Sequence, residues 1–140
     1  MLDVTTETVI RRPRAEVAAY VAEPTNAPEW YENIESAEPQ GESRVAFVAR
    51  FLGKRLAYTY EIREHVPGER LVMSTEEGPF PMETTYEWAD APGGGTRMTL
   101  RNRGRPAGFS RLAAPVMGLA VRRANRKDLE RLKGILESRT

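Results

Sequence analysis

RVAFVARFLGKRLAYTYEIREHV, residues 44–66, contains two runs rich in β-branched and aromatic residues, separated by the pair Gly53-Lys54. A glycine-containing pair between two such runs is typical of a tight β-hairpin. We therefore predict two antiparallel strands that meet at Gly53. Alternate residues of a strand point to the same face, so the aromatic residues of each run share one face. These residues are Phe47, Phe51, Tyr58 and Tyr60.

Similar patterns continue on both sides of this hairpin. Turn-forming segments, among them Pro67-Gly68 and residues 92–95, separate further β-type runs. Additional strands are predicted for residues 3–11, 34–38, 69–77, 82–90 and 96–103, with a turn at 39–41 and a loop at 78–81. Short strands with turns about every dozen residues favour an antiparallel meander of about seven strands.

Two short helices are predicted between the first two strands. Pro13 suits the first turn of a helix that continues to Val21, because proline needs no backbone donor there. Pro24 ends this helix. A second helix is predicted for residues 26–33 and contains Trp30.

The C-terminal segment, residues 110–137, is predicted to form one long helix. Apolar residues recur there at intervals of three to five residues, while most of the arginines lie between them. Pro115 lies inside this pattern and predicts a late start or a kink. The apolar positions are Leu112, Val116, Leu119 or Ala120, Ala124, Leu129, Leu132 and Leu136.

Length and composition exclude several classes of protein. A chain of 140 residues suits one domain, residues 1–140, with a core that needs no disulfide. Cysteine is absent and His65 is the only histidine, so we expect no thiolate or multi-histidine metal site and no cofactor. No apolar run approaches the roughly 20 residues of a membrane-spanning helix, and we expect a cytoplasmic protein.

The charges are divided unevenly along the chain. Residues 1–96 contain 9 basic and 17 acidic residues, a net charge of −8, and residues 97–140 contain 12 basic and 3 acidic residues, a net charge of +9. This asymmetry suits either an anionic partner or attraction between the two segments after folding.

The order of these elements and the local sequence resemble the helix-grip proteins of the SRPBCC superfamily. This group includes START lipid-binding domains, birch-pollen-allergen-like proteins and bacterial polyketide cyclase/dehydrase-like proteins. The resembling segments are TVIRRPRAEVAAYVAEPTNAPEWYENI (8–34), HVPGERLVMST (65–75), GGGTRMTLRNRG (93–104) and RRANRKDLERLKGIL (122–136). The resemblance implies an α+β fold in which a curved antiparallel sheet wraps a long C-terminal helix around a cavity. It implies no particular reaction.

A set of mostly aromatic residues is predicted to line this cavity. The predicted ligand-binding residues are Trp30, Phe47, Phe51, Tyr58, Tyr60, Tyr86, Trp88, Asn102, Phe109 and Val116. A phenol in an apolar pocket needs a hydrogen-bond partner, so Tyr58 and Tyr60 could orient a carbonyl or hydroxyl group of a ligand. Alternatively the whole set fills a solid core, and a shift of one residue in strand register would turn several members outward.

The candidates for catalysis are Tyr58, Tyr60, Asn102 and Glu64. Asn102 and Glu64 have the strand parity of inward-facing apolar neighbours, and burial raises the pKa of a carboxyl group as general acid–base chemistry requires. A solvated strand end is the competing interpretation for Glu64, and a local backbone hydrogen bond is the competing one for Asn102. His65 should point away from Glu64, which favours a surface position.

Three functions are compatible with these features. The first is non-covalent binding of a small hydrophobic or aromatic molecule, lipid-like or polyketide-like, in the internal cavity. The second is a polyketide cyclase/dehydratase-type enzyme that holds a reactive chain in a productive shape. The third is binding of nucleic acid or an anionic membrane through Arg122, Arg123 and Arg126, which the lack of interleaved aromatic residues in the helix disfavours. The sequence does not decide whether the chain forms a homodimer.

Overall fold

Seven strands form one antiparallel sheet. The computed structural model describes residues 2–51, 53–75, 81–104 and 114–139. The strands are β1 (Leu2–Ile10), β2 (Ile34–Gln40), β3 (Arg44–Phe51), β4 (Lys54–Val66), β5 (Arg70–Thr75), β6 (Met82–Ala91) and β7 (Gly95–Gly104). Their order across the sheet is β1-β7-β6-β5-β4-β3-β2, so the first strand pairs with the last. The predicted meander is confirmed, including the hairpin between β3 and β4.

Three α-helices accompany this sheet in the described part of the chain. Helices α1 (Arg14–Ala22) and α2 (Ala27–Trp30) lie between β1 and β2, and α3 (Ala114–Glu137) follows β7. Because β1 and β2 are the two edges of the sheet, the segment with α1 and α2 connects one edge to the other. Helix α2 contacts both β2 and α3. This arrangement confirms the predicted helix-grip fold.

The hydrophobic core lies between the concave face of the sheet and the second half of α3. Leu129, Leu132 and Leu136 are each at most 1% exposed, and they belong to one buried cluster with Trp30 and Trp88. Leucines at these spacings project from one side of a helix, so they meet the sheet together. This packing fixes the position of α3 over the sheet.

Helix α2 is shorter than the predicted segment 26–33. It ends at Trp30, and Tyr31 has an extended backbone with φ −87° and ψ 118°. This extended turn allows the Tyr31 ring to pack 4.0 Å from the Trp30 ring and its hydroxyl to bond to that of Tyr86. Tertiary contacts of the aromatic residues therefore override the local helical pattern.

Strand β2 extends beyond its predicted end at residue 38. It continues to Gln40, and the turn begins at Gly41, whose φ of +73° suits glycine. Pro39 is tolerated within the strand because β2 is an edge strand, where a missing N–H breaks no ladder on the open side.

The start of the last helix and the end of β5 border residues that the structure does not describe. Helix α3 begins at Ala114, so Pro115 lies in its first described turn. Residues 110–113, predicted to begin this helix, residues 76–77, predicted to end a strand, and most of the predicted loop at 78–81 lie outside the described residues.

Candidate functional site

A cavity of about 490 Å³ lies between the sheet and the first half of α3. The sheet contributes an apolar wall of Phe47, Ala49, Leu56, Tyr58, Met73 and Met82, and the helix contributes Met117, Ala120, Val121 and Ala124. Ala120 lies on the lining and is also exposed, so the cavity reaches solvent beside it. A space of this size suits a small organic molecule.

Three aromatic side chains lie together on the sheet side of the cavity. The Phe47 ring stacks on the Tyr58 ring at a centroid distance of 5.9 Å and meets the Tyr60 ring edge-on at 5.4 Å. Tyr58 and Tyr60 are themselves 5.6 Å apart. These three side chains come from adjacent strands of the predicted hairpin, where cross-strand neighbours on one face contact each other. Phe47 and Tyr58 present nearly parallel rings, and Tyr60 stands edge-on beside them.

A hydrogen-bonded chain of polar side chains continues from this wall. The Tyr60 hydroxyl bonds to Thr84, and Thr84 Oγ1 donates to Asn102 Oδ1 at 2.9 Å. Burial raises the pKa of Tyr60, so its hydroxyl stays protonated at physiological pH. Thr84 and Asn102 are paired across β6 and β7 and are both buried. The Tyr60 hydroxyl keeps a lone pair for a guest donor, and it can give its proton to a guest only by leaving Thr84, whose own proton goes to Asn102.

A second polar group surrounds the end of the cavity nearest α2. The hydroxyls of Tyr31 and Tyr86 form a hydrogen bond. Asp128 of α3 lies close enough to both phenols to raise their pKa by its charge, although burial is the larger cause in each case. Two tyrosine hydroxyls and a carboxyl group therefore lie together at this end of the cavity.

Asp128 is a buried carboxyl group on the cavity lining. It is 6% exposed, and its Oδ1 accepts a hydrogen bond from the Glu32 backbone N–H at 3.2 Å. Burial raises the pKa of Asp128 to about 6, and the nearby charge of Glu32 acts in the same direction. The Glu32 N–H and the charge of Arg131 oppose this shift without cancelling it. Asp128 therefore titrates close to neutral pH.

Asn125 precedes Asp128 by one helical turn and also lines the cavity. It is 5% exposed, and its Nδ2 is enclosed without a hydrogen-bond partner in the described structure. A buried amide that lacks a partner is unusual in folded proteins. Asn125 and Asp128 thus place two polar groups side by side on an otherwise apolar helix face.

The structure brings half of the predicted ligand-binding residues together. The predicted residues found on the cavity lining are Phe47, Tyr58, Tyr60, Tyr86 and Asn102. Their role in binding stays a prediction. Trp30 and Trp88 face inward as expected, but they pack in the filled core instead of on the cavity lining. Phe109 and the side chain of Phe51 lie outside the described residues.

Val116 does not have the position predicted for it. It is 66% exposed, whereas its neighbour Met117 lies on the cavity. Successive residues of a helix point about 100° apart, and the cavity face follows residues 117, 120, 121, 124, 125 and 128. The predicted apolar positions are therefore wrong at Val116, whereas Ala120 and Ala124 lie on the cavity lining.

The prediction that Glu64 faces inward is also wrong. The register between β4 and β5 shifts between Ile62 and Glu64, and Glu64 forms an ion pair with Arg70, which also pairs with Glu87. A β-bulge inserts one residue and reverses the parity that follows it. Glu64 therefore lies on the exposed convex face, as its competing interpretation had it, and His65 is exposed too.

The basic residues of α3 are turned away from the cavity. Arg122 Nη1 donates to the Thr5 carbonyl oxygen at 2.9 Å, which ties the helix to β1. Arg123 and Arg126 are exposed. This arrangement agrees with the interpretation of these arginines as a solvated helix face.

Sequence reasoning missed Tyr31, Thr84 and Asp128 as parts of the site. The sequence does contain a signal for Asp128. Asn125 interrupts the apolar positions of the helix, and Asp128 follows it by three residues on the same face. Charged residues on a basic helix are normally assigned to solvent, which hid this pattern. Within the described residues, no group of three or more acidic or histidine side chains is arranged to hold a metal ion.

None of the helices in the described ranges has the length and apolar character needed to cross a membrane. Among curated proteins, no significant match to the sequence was found. Several solved structures, however, share the fold.

TTHA0849 from Thermus thermophilus is 21% identical with a TM-score of 0.82, and the alignment covers 98% of this chain and 99% of that one. The Zhui aromatase/cyclase from a Streptomyces species is 16% identical with a TM-score of 0.80, over 96% of this chain and 93% of that one. The di-domain ARO/CYC protein BexL from the BE-7585A biosynthetic pathway is 22% identical with a TM-score of 0.81. The alignment covers 98% of this chain but only 47% of BexL, so the chain spans about half of that protein.

At these identities the structural likeness establishes the fold. The sequence itself gives a more specific result. Residues 1–137 match the family described as polyketide cyclase / dehydrase and lipid transport, which is almost the whole chain. The chain therefore belongs to the polyketide cyclase/dehydrase and lipid transport family.

Proposed function

We propose that this protein binds a small hydrophobic molecule non-covalently in the cavity between the sheet and α3. The observation that carries the proposal is the cavity itself, about 490 Å³ in volume and walled by aromatic, methionine and small aliphatic side chains. Ligand sites in proteins have this combination of a preformed apolar wall and few polar groups. The ligand we expect is lipid-like or polyketide-like, as membership of the family suggests.

The stacked rings of Phe47 and Tyr58 favour a ligand with at least one flat ring system. Aromatic rings prefer offset-stacked or edge-on contacts, and both geometries are already present between the side chains of this wall. The Tyr60 hydroxyl can then fix the orientation of a carbonyl or hydroxyl group on the ligand.

A titration with the neutral dye Nile red tests this proposal. Its fluorescence rises in apolar surroundings, and we expect saturable binding of one dye per chain. Ala124→Phe should fill the helix side of the cavity and weaken dye binding at least tenfold. Ala57→Phe is the matched control, because Ala57 is exposed on the opposite face of β4 from Tyr58.

Equal dye binding by both variants would show that the dye sits elsewhere and would contradict the proposal. Independently of the dye, native mass spectrometry of protein purified from its own host can identify the physiological guest. A small molecule that is released on unfolding and that Ala124→Phe no longer retains would support the same site.

A second candidate function is catalysis on a bound polyketide-like chain. Asp128 favours it, because a cavity carboxyl with a pKa of about 6 can both accept and return a proton near neutral pH. In a dehydration, the Asp128 carboxylate takes the proton next to a ketone, and the β-hydroxyl leaves as water with a proton from a cavity phenol such as Tyr60. Asn102 holds Thr84, the hydrogen-bond partner of Tyr60, in place.

Turnover of a synthetic β-hydroxyketone distinguishes the two functions. An enzyme would accelerate the release of water, and Tyr60→Phe and Asp128→Asn would each slow it while a neutral ligand still binds. A rate equal to that in buffer, together with tight binding of the same compound, would rule out catalysis of this reaction and support binding only.

A further inference from the structure

Two polar side chains on α3 define the part of the cavity that can select among hydrophobic ligands. Asn125 and Asp128 are separated by three residues and therefore lie on one face of the helix. Both line the cavity and both are more than nine-tenths buried. The neighbouring helix residues on the lining, Val121 and Ala124, are apolar.

The amide of Asn125 is not used by the fold. It forms no hydrogen bond with any residue that the structure describes, and its Nδ2 is enclosed without a partner. The last torsion of an asparagine side chain is soft, so the amide can turn either its NH₂ or its carbonyl oxygen toward a guest. A ligand oxygen that reaches this amide would supply the missing hydrogen bond.

Asp128 is only half used by the fold. Its Oδ1 accepts from the Glu32 N–H, and within the described chain no donor reaches Oδ2. Oδ2 is therefore available to accept a hydrogen bond from a ligand hydroxyl. The second polar contact of the site thus differs from the first, since a carboxylate only accepts.

The charges around Asp128 disfavour an anionic guest. Glu32 adds a second negative charge nearby, and Arg131 is the one cation in the described structure whose charge lowers the pKa of Asp128. Arg50 is the only cation among the described lining residues, and its guanidinium is paired with Glu35. A ligand carboxylate or phosphate beside Asp128 would therefore meet like charge in a water-poor space, where repulsion is strong.

We propose that Asn125 and Asp128 form a subsite for a neutral hydroxyl or carbonyl group, and that Asp128 excludes ligands with a carboxylate or phosphate there. This inference rests on the proposed binding function and narrows its ligand class. The guest is an apolar ring or chain system with an uncharged oxygen at the end that faces α3. Free fatty acids and phospholipid headgroups do not fit this subsite.

Three fluorescent probes with the same ring system test the inference at pH 8: pyrene, 1-pyrenemethanol and 1-pyrenecarboxylate. We expect the alcohol to bind several-fold more tightly than pyrene and at least tenfold more tightly than the carboxylate. Asn125→Leu should remove the advantage of the alcohol over pyrene while pyrene still binds. Asp128→Asn should strengthen carboxylate binding about tenfold.

Glu130→Gln is the matched control for charge, because Glu130 is an exposed acidic residue on the same helix. It should leave the order of the three probes unchanged. If Glu130→Gln strengthens carboxylate binding as much as Asp128→Asn does, the discrimination comes from the overall charge of the helix and the subsite is refuted.

The remaining outcomes separate this inference from the proposed function. If the wild-type protein binds all three probes equally, or prefers the carboxylate, the subsite is wrong and the apolar cavity stands. If it binds none of them and no Nile red, the cavity proposal fails together with the subsite. Circular dichroism of each variant shows that its fold is intact, and Asp128→Asn tests the charge independently if Asn125→Leu does not fold.

Discussion

The two halves of helix α3 meet the same sheet in opposite ways. In the second half, Leu129, Leu132 and Leu136 fill the space completely and are at most 1% exposed. In the first half, Met117 and Val121 pack against Leu2 and Val4 of β1, and a cavity of about 490 Å³ remains beside the small residues Ala120 and Ala124. The comparison teaches that side-chain size along one helix decides where a curved sheet is closed and where it stays open.

Polar contacts follow the same division. At the closed end, Lys133 Nζ donates to the Val9 carbonyl oxygen at 2.7 Å, and Glu137 Oε2 accepts from the Arg11 N–H at 2.8 Å. Both contacts join the helix to the end of β1. At the open end, Asn125 and Asp128 leave hydrogen-bonding capacity unused. The unsatisfied polar groups thus lie at the open end, where we propose recognition and where Arg122 also ties the helix to β1. Proteins usually place such unsatisfied groups at functional sites.

The largest effect is expected from shortening a leucine at the closed end. Leu132→Ala should lower the free energy of unfolding by about 2–5 kcal/mol, because a fully buried leucine loses its contacts and leaves a void. Urea unfolding followed by circular dichroism measures the difference. A loss below about 1 kcal/mol would mean that the closed end is not packed as described.

The next effect concerns the open end and has the opposite sign. Asp128→Asn should raise the free energy of unfolding at pH 8 by about 1–3 kcal/mol, because it removes a buried negative charge. The asparagine Oδ1 can still accept from the Glu32 N–H, so that hydrogen bond remains. A gain on removing a native side chain would indicate that Asp128 is kept for a task other than stability.

The pH dependence of this gain follows from the raised pKa of Asp128. The folded state holds the proton up to about pH 6, whereas the unfolded chain releases it near the ordinary value of 3.8. The wild-type protein therefore loses stability as the pH rises from about 4 to 6, and the penalty is complete above 6. Unfolding of both proteins at pH 4, 6 and 8 should show the gain shrinking toward zero at the lowest pH. A gain that is constant with pH would exclude charge burial as its cause.

Much of this fold could be predicted from alternation and turn residues. The hairpin at Gly53 and the succession of strands along the chain follow from period-two patterns and turn residues, because each strand has one face against the core, whereas the pairing of β1 with β7 does not. Strand parity also placed Phe47, Tyr58 and Tyr60 on the inner face. Strand parity cannot tell which end of the sheet is filled, so it does not reveal that Trp88 lies in the core, and the short helical pattern around Trp30 does not reveal this for Trp30 either.

The candidate site was harder to predict, since its features depend on departures from regular patterns. The bulge after Ile62 reversed the direction of Glu64, and no residue in that strand marks the bulge. Asp128 is buried by Tyr31 and the segment after α2, which are almost a hundred residues away in the chain. Long-range contacts of this kind are not encoded in the local sequence pattern around Asp128.

A smaller effect is expected at the polar contacts of the closed end. Glu137→Gln should lower the free energy of unfolding by about 1 kcal/mol at pH 7, since it weakens hydrogen bonds from Lys133 and the Arg11 N–H. Solvent keeps the effect modest, because the Arg11 side chain is 84% exposed.

The acid dependence provides the check on Glu137. Lys133 and then the Arg11 N–H lower the pKa of Glu137 from 4.5 to about 2. Its stabilisation is therefore present above pH 4.5 and is lost as the pH falls from 4.5 toward 2. The difference between wild type and Glu137→Gln should shrink over the same range. A difference that persists unchanged at pH 2 would indicate a change in packing instead of lost charge interactions.

The smallest effect comes from repeating the leucine substitution at the open end. Leu119 lies on the same helix as Leu132 but is 70% exposed, so Leu119→Ala removes few contacts and creates no void. The free energy of unfolding should change by less than about 0.5 kcal/mol, as for most surface substitutions. Alanine also has a slightly higher helix propensity than leucine, so a small increase in the free energy of unfolding agrees with the prediction as well as a small decrease does. The same chemical change in one helix thus compares a leucine buried against the sheet with one that faces solvent. A loss of 2 kcal/mol or more at Leu119 would contradict the exposed position of this side chain and the orientation of the first half of the helix that follows from it.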